Sequence, residues 1–360
     1  MSDESRLPHG VMEGKGSYNK HAKLPAGGAA LAMPLLEKAV RSVRLDPADQ
    51  PVVIADYGSS QGKNSLAPMS VAIKTLRSRL GPDRPIVAYH VDQPSNDFNS
   101  LFEVLDADPD RYAVDEPNVF PCAIGRSFYR QVLPADYVHL GWSSYAAVWL
   151  SRIPGPIPGH FFAAHSPGGP PAEFVLQAAK DWETFLSLRA LELRPGGRLV
   201  VVLPALDERG ASGFEALVDH VNQVLAELVD QGLIQTEERA RMVLGSYPRR
   251  ESDLLAPFAR NGHFRQLVVE DCQFAVLEDS AWGDYQRDGD KEALAARHAL
   301  FFRAIFVPSL ASALDRAGDA EACRVFGDQL VTRLKQRLAS QPAAMHSFVS
   351  TIVLAKQGSA

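Results

Sequence analysis

The sequence has few cysteines and no long apolar run. Its three cysteines, Cys122, Cys272 and Cys323, are scattered, with no Cys-x-x-Cys pair and no neighbouring histidine pair. This spacing supports neither a disulfide framework nor a metal site and is typical of reduced thiols in a cytoplasmic protein. No segment approaches the ~20 uninterrupted apolar residues of a membrane span. Residues 1–6 also lack the basic-then-apolar order of a secretory signal.

A basic surplus and the dinucleotide fingerprint are also missing. The formal net charge is −6 and no basic stripe is present, which argues against a general nucleic-acid binder. The spacing Gly-x-Gly-x-x-Gly does not occur. We therefore expect a small molecule as partner, with no nucleic acid and no membrane. A second copy of the chain, in a homodimer, is also compatible with the sequence.

What the chain does have is an apolar strand that runs into an acid and two glycines, at residues 52–64. Val52 to Ala55 precede Asp56, Gly58 and Gly62. In doubly wound α/β proteins such a strand-to-helix turn brings backbone amides close to a nucleotide-like ligand. The acid-first spacing favours S-adenosylmethionine (SAM) over NAD. A plain tight turn, with Asp56 as a helix cap, is the alternative.

A second apolar run, residues 85–91, also ends in an acid, Asp92. A carboxylate at this place can accept hydrogen bonds from ribose hydroxyls. The alternative for Asp92 is a solvated carboxylate. The two strand-end acids, in this order, strengthen the nucleotide-like interpretation. At 360 residues and 46% hydrophobic composition, the chain is long enough for one domain with an elaboration.

The residues after Asp92 resemble the Asp-Leu-Pro-x-Asn-Asp-Phe-Asn-x-x-Phe block of the SABATH methyltransferases, the plant salicylate, benzoate, jasmonate and caffeine-pathway enzymes. Further blocks similar to that family follow in the family's order. The Ala/Arg-rich composition suggests a bacterial member. The resemblance covers about residues 12–355, and its blocks are residues 16–20, 92–102, 127–134, 143–154, 177–186, 193–198 and 303–308.

The resemblance implies a class I SAM-dependent methyltransferase fold: α/β and Rossmann-like, with a mostly parallel seven-stranded sheet and an inserted helical cap. It also implies roles around SAM. From the residues alone, Phe128 could equally be a core side chain. The implied cofactor residues are Ser17 and Tyr18, which close over SAM, Asp56, Gly58 and Asn64 at the glycine loop, Asp92 at the ribose, and Ser127 and Phe128 at the adenine.

Two aromatic side chains carry the argument about the acceptor. Tyr145 and Trp149 are four residues apart, which predicts one face of a helix, and each combines an apolar body with one donor. Core packing explains such a pair equally well. The resemblance implies that both line the acceptor pocket with Val148, and that the Trp149 indole N–H faces the substrate carboxylate.

Two departures from the family leave the acceptor open. The aromatic-acid enzymes place a Gln that donates to the carboxylate where this chain has Pro25, and a His where it has Trp142. Gln61 and Lys63 also replace Ser and Pro in the glycine loop. The donors that could replace the Gln are His21, Lys23 and Arg152.

Methyl transfer to a carboxylate needs positioning and desolvation but no strong base. The sequence shows no Ser-His-Asp or Cys-His constellation, which agrees with such chemistry. If the acceptor is carbon, nitrogen or a phenol, for example in a prenyl diphosphate, Glu173 is the candidate base. A binding protein of the same fold without turnover is the second alternative.

The order of elements predicts how the chain divides. Residues 1–12 are expected to be disordered, and residues 13–204 form the SAM-binding core. A helical cap is expected at 205–262 and 286–340, with strands returning to the sheet at 263–285 and 341–360. Residues 154–171, rich in proline and glycine, form a candidate lid.

Overall fold

One mixed sheet runs through the part of the chain that the structure, a computed structural model, describes: residues 13, 19, 23–46, 50–114 and 116–358. The expected disorder of residues 1–12 lies outside these residues. The strands are β1 (Val52–Tyr57), β2 (Ile86–Asp92), β3 (Val119–Gly125), β4 (Val138–Ser144), β5 (Leu193–Pro204), β6 (His263–Phe264), β7 (Leu267–Leu277) and β8 (Ser347–Lys356).

The strands lie in the order β3-β2-β1-β4-β5-β8-β7-β6. The first five are parallel, and β8, β7 and β6 join in antiparallel pairings. From β1 the chain adds β2 and β3 on one side and then β4 and β5 on the other. The connections therefore leave β1 in opposite directions, and a crevice opens at the carboxyl ends of β1, β2 and β4. Ligands of open α/β sheets bind at such a switch point.

Eleven helices accompany the sheet in the described residues. They are α1 (Lys23–Leu31), α2 (Met33–Ser42), α3 (Lys63–Leu80), α4 (Phe98–Ala107), α5 (Ala172–Glu192), α6 (Glu215–Asp230), α7 (Thr236–Arg241), α8 (Glu251–Leu255), α9 (Ser280–Asp288), α10 (Lys291–Ala311) and α11 (Ala320–Ser340). Short 3-10 turns occur at Ala163–His165 and Ala256–Phe258.

Both faces of the sheet are buried. Along β1, Val52 and Ile54 belong to a core with α1, α2 and α3, whereas Val53 and Ala55 point to the opposite core, which contains α5, α6, α10 and α11. Successive side chains of a strand point to opposite faces, so a strand covered on both sides is apolar throughout. This explains the unbroken apolar run in residues 52–55.

Helices α6 to α8 lie between β5 and β6, and α9 to α11 lie between β7 and β8. They overlap the stretches 205–262 and 286–340 that the sequence assigns to a helical cap, but α9 begins at Ser280, inside the range expected to return to the sheet. Helix α11 packs against α10 and α6. The cap is thus built from two separate segments of the chain. After each segment the chain returns to the antiparallel side of the sheet.

Several local expectations differ from the structure. The sheet has eight strands rather than seven, because the stretch 263–285, expected to return as a strand, begins as a hairpin that turns at Arg265 and Gln266 with φ of +50° and +69°. The small and apolar residues 27–43 predict one helix, but the structure has two, and Pro34 lies at the start of the second, where its missing N–H costs nothing. Within the candidate lid, Phe161 and Ala163 are fully buried, whereas residues 156, 158–159 and 167–169 are exposed.

Candidate active site

A cavity of about 320 Å³ lies at the carboxyl ends of the parallel strands, between the sheet and the cap. Its polar residues cluster at the glycine turn and after β2, and its apolar residues come mainly from the cap. The lining residues include Pro25, Gly58, Ser60, Gln61, Asp92, Asp97, Phe128, Tyr145, Val148, Trp149, Phe162, Ser212, Phe214, Leu217, Val218, Leu244, Ser246, Pro248, Phe301, Phe302, Ile305 and Phe306.

The turn after β1 needs glycine at Gly58 for two reasons. Its φ is +95°, a conformation that L side chains rarely adopt. A Cβ there would lie 2.0 Å from the Cβ of Ala146. The N–H of Gly58 donates to the carbonyl of Val91 at 2.7 Å. The turn is therefore tied to the end of β2 and brings backbone close to the cavity.

Asp92 ends β2 and faces this turn. Its Oδ2 accepts the N–H of Ser60 and its Oδ1 accepts the N–H of Gln93, each at 2.7 Å. Burial, opposed by these two hydrogen bonds, raises the pKa of Asp92 to about 6. A carboxylate offers about four lone-pair sites, so two remain for ribose hydroxyls. The hydroxyl of Ser60 is buried and has no hydrogen-bond partner among the described residues. These polar groups fit a nucleoside ligand.

Phe128 lines the cavity and packs edge-on against Phe185, with ring centroids 5.8 Å apart. Its carbonyl accepts a hydrogen bond from Arg189 Nη1 at 2.8 Å. Arg189 and Glu192 are fully buried and pair with each other, and Glu192 Oε1 accepts the N–H of Val132 at 2.7 Å. The Arg189–Glu192 ion pair thus fixes the loop that contains Phe128, through hydrogen bonds to the backbone of that loop.

Three predicted cofactor residues do not line the cavity. Asp56 is buried, and its Oδ2 accepts the hydroxyl of Ser65 at 2.5 Å and contacts His90 Nδ1 at 3.2 Å. It therefore ties the first turn of α3 to the end of β1 through a side chain; the cap position of α3 is Gly62, so Asp56 is not the helix cap of the alternative interpretation. Asn64 is half-buried in the first turn of α3. Ser127 is also half-buried, and its hydroxyl accepts the N–H of Tyr129. Ser17 and Tyr18 lie outside the described residues.

Tyr145, Val148 and Trp149 all line the cavity, but not as one face of a helix. The helix expected after β4 is absent from residues 145–151, and Tyr145 has φ of +57°. Hydrogen bonds to residues from other parts of the chain hold this segment in an irregular conformation. Trp149 O accepts the Tyr129 hydroxyl at 2.6 Å, Ala147 O accepts Arg249 Nη1 at 2.8 Å, and Ser151 N donates to Asp181 at 2.7 Å.

The position of Tyr145 depends on a glycine in α1. A Cβ at Gly28 would lie 2.2 Å from the Tyr145 hydroxyl oxygen and 2.6 Å from its Cε2. The ring thus lies directly against the backbone of α1. Nothing in the sequence around Gly28 signals this contact, because it joins elements more than a hundred residues apart.

Sequence reasoning missed the apolar wall opposite Trp149. Helix α10 contributes Phe301, Phe302, Ile305 and Phe306, and the rings of Trp149 and Phe306 lie 6.2 Å apart. By length and composition α10 could cross a membrane, but 61% of its most apolar window is buried inside the protein. The signal available in the sequence was the spacing of Phe301 and Ile305, and of Phe302 and Phe306, four positions apart on one face of a helix.

Of the predicted acceptor donors His21, Lys23 and Arg152, only the side chain of Arg152 is among the described residues, and it is not at the wall. Arg152 and the candidate base Glu173 are exposed and do not line the cavity, whereas Pro25 does. His21 and the side chain of Lys23 lie outside the described residues. Among the described lining residues there is no Lys, Arg or His, and the carboxylates are Asp92, at the end of β2, and Asp97, in the segment that follows. In the described residues no group of three or more His, Cys, Asp or Glu could hold a metal ion.

The model of the family described as SAM-dependent carboxyl methyltransferase matches residues 8–357 of this chain. The chain belongs to that family. It is similar to salicylate carboxymethyltransferase of Clarkia breweri, at 28% identity over 85% of this chain and 86% of that protein. It is also similar to gibberellic acid methyltransferase 2 of Arabidopsis thaliana, at 26% identity over 76% of each chain. This SAM-dependent methyltransferase is thus an enzyme of the SABATH type.

A fungal relative, methyltransferase LUC1 of a Fusarium species, is 28% identical over 83% of this chain and 81% of its own length. These plant and fungal relatives give no support to the expectation of a bacterial source. The solved structure of loganic acid methyltransferase with SAH superposes with a TM-score of 0.77 at 22% identity, covering 98% of this chain and 99% of that chain. The likeness confirms the class I methyltransferase fold.

Proposed function

We propose that this enzyme methylates the carboxylate of a small acid that has a large apolar body. The observation that carries the proposal is the composition of the cavity wall around Trp149, which is aromatic and aliphatic, with no cation and no carboxylate beside it among the described residues. A wall of this kind fits an apolar skeleton. The Trp149 indole N–H makes no hydrogen bond to another described residue, so it is available to a ligand.

The residues divide the work between the two ends of the cavity. Asp92 and the glycine turn would hold the nucleoside of SAM, and Phe128 would cover the adenine. When bound, SAM supplies an electrophilic methyl group on a positive sulfonium. The protein then has to hold a carboxylate oxygen in line with that methyl group and exclude water, because the carboxylate is already ionised at neutral pH. No proton has to be removed.

The alternatives fit the wall less well. Methylation at carbon, or at a nitrogen that has to lose a proton, needs a base near the acceptor, but Glu173 is exposed and away from the cavity. A prenyl diphosphate would need cations, and the described lining has none. We propose further that the enzyme acts in the cytoplasm on a small molecule, without nucleic acid or membrane, on the basis of its net charge of −6 and its scattered cysteines.

The test is turnover of a panel of acids. Purified protein is incubated with SAM and with aromatic, terpenoid and straight-chain carboxylic acids, and with phenols and prenyl diphosphates as controls. We expect a methylated product, detected by mass spectrometry, from one or more acids with a large apolar body and from none of the controls. A product from the phenols or diphosphates alone would overturn the proposal.

A further inference from the structure

In the part of the chain that the structure describes, one of the two donors that the resemblance implies for the acceptor carboxylate is missing. Pro25 lines the cavity at the position where the related aromatic-acid enzymes have a donating Gln, and proline has no side-chain donor. Trp149 supplies one N–H. A single hydrogen bond leaves a carboxylate free to rotate about it, so in-line attack calls for a second donor.

Ser246 lies directly opposite Trp149. The two residues form an antiparallel bridge. The flanking hydrogen bonds run from Tyr247 N to Val148 O at 2.9 Å and from Leu150 N to Gly245 O at 2.7 Å. This pattern defines a non-hydrogen-bonded pair, whose Cα atoms are typically ~4.5 Å apart and whose side chains lie side by side on one face.

The side chain of Ser246 faces the cavity. Leu244, Ser246 and Pro248 line it whereas Gly245 and Tyr247 do not, as the alternation of an extended segment requires. Ser246 is only 6% exposed. Its hydroxyl makes no hydrogen bond to any other residue in the part of the chain that the structure describes. A hydroxyl on the wall of a cavity, with no partner from the protein, can donate a hydrogen bond to a ligand there.

We propose that Ser246 donates a hydrogen bond to the acceptor carboxylate and completes the clamp with Trp149. The inference rests on the proposed carboxylate acceptor. In the reaction an oxygen of the clamped carboxylate forms a bond to the methyl carbon, the sulfur–carbon bond breaks with its electron pair going to sulfur, and the products are the ester and S-adenosylhomocysteine. The two donors fix which oxygen faces the methyl group.

The test compares Ser246→Ala with wild type on an acid that wild type methylates. A hydrogen bond to a charged group contributes enough that its loss should raise the KM for the acid roughly ten-fold to a hundred-fold. The Kd of SAM should not change. Ser246→Thr, which keeps the hydroxyl, should restore the KM to within a few-fold. A neutral analogue without the carboxylate should inhibit both proteins equally.

Ser309→Ala is the matched control, because Ser309 is also buried with an unpartnered hydroxyl but does not line the cavity. Should Ser246→Ala fail to fold, Ser246→Cys keeps the size and weakens the donor. An unchanged KM for the acid in the folded variant would overturn the role of Ser246. So would a loss of affinity for the neutral analogue as large as that for the acid. Either result would leave the proposed function standing. If wild type methylates no acid, the proposed function and this inference both fail.

Discussion

At the scale of single residues, Asp92 links the cofactor site to pH. Asp92→Ala should weaken SAM binding by on the order of 1.5–3 kcal/mol, the range for hydrogen bonds to a charged group. Calorimetry measures the change. Because burial raises the pKa of Asp92 to about 6, the carboxyl takes up a proton below that pH, and SAM affinity should then fall.

The pH dependence of SAM affinity has a control variant, and the pH dependence of stability has a predicted sign. Asp92→Asn does not titrate, so its SAM affinity should be flat between about pH 5 and pH 7. In the free protein the raised pKa means that the folded state holds the proton more tightly than the unfolded state. This group therefore lowers the free energy of unfolding as pH rises from about 4 to about 6. An equal Kd for SAM in Asp92→Ala and wild type would refute the ribose contact.

Trp149 is predicted to act through its N–H. Trp149→Phe keeps an apolar wall and removes the donor, so kcat/KM for the acid should fall about ten-fold to a hundred-fold while the Kd of SAM stays the same. Steady-state kinetics and calorimetry on the same preparation separate the two effects. Equal turnover in the variant and wild type would reduce Trp149 to a packing residue.

Glu173 is expected to be silent. It is exposed, at the start of α5, and does not line the cavity. Glu173→Gln should therefore keep kcat and KM within about two-fold, since a carboxylate acceptor needs no base. The measurement is the rate at saturating SAM. Loss of turnover with intact binding of both substrates would restore the base-assisted alternative.

At the scale of elements, α1 and the segment after β4 depend on each other. Gly28→Ala places a methyl group 2.2 Å from the Tyr145 hydroxyl oxygen, so the ring has to move into the cavity. A misplacement of about 1 Å at a reacting site can cost a hundred-fold in rate. We expect turnover to fall at least about ten-fold, although Ala favours helix over Gly.

Gly283→Ala in α9 is the control for Gly28→Ala. The nearest atom to its added Cβ, Arg287 Nη1, is 3.8 Å away, so turnover should not change and thermal stability should rise slightly. A Gly28→Ala enzyme as active as wild type would contradict the Tyr145 placement.

The elements also show where sequence patterns stop being informative. Strands β1 and β2 and the turn at Gly58 were predictable because the apolar run, the acid and the glycine are consecutive in the chain. The four-residue spacing of Tyr145 and Trp149 predicted a helix and was wrong. The conformation there is imposed by Arg249, Tyr129 and Asp181, which come from other parts of the chain.

At the scale of the whole molecule, the fold class and the place of the site followed from the order of strand ends, and the acceptor wall did not. Helix α10 and the segment with Ser246 reach the cavity only because the cap folds back over the sheet. No spacing of neighbouring residues in the sequence predicts that the cap folds back over the sheet. The identity of the acceptor therefore depends on the cap, where this chain's sequence was least informative.

The most direct test of the account is the chemistry of the product. Protein, an apolar acid and SAM with a deuterated methyl group are incubated, and the purified product is treated with alkali and followed by mass spectrometry. We predict that the acid gains one labelled methyl group and that alkali returns the acid with labelled methanol, as a methyl ester requires. A labelled product that survives alkali would contradict transfer to a carboxylate.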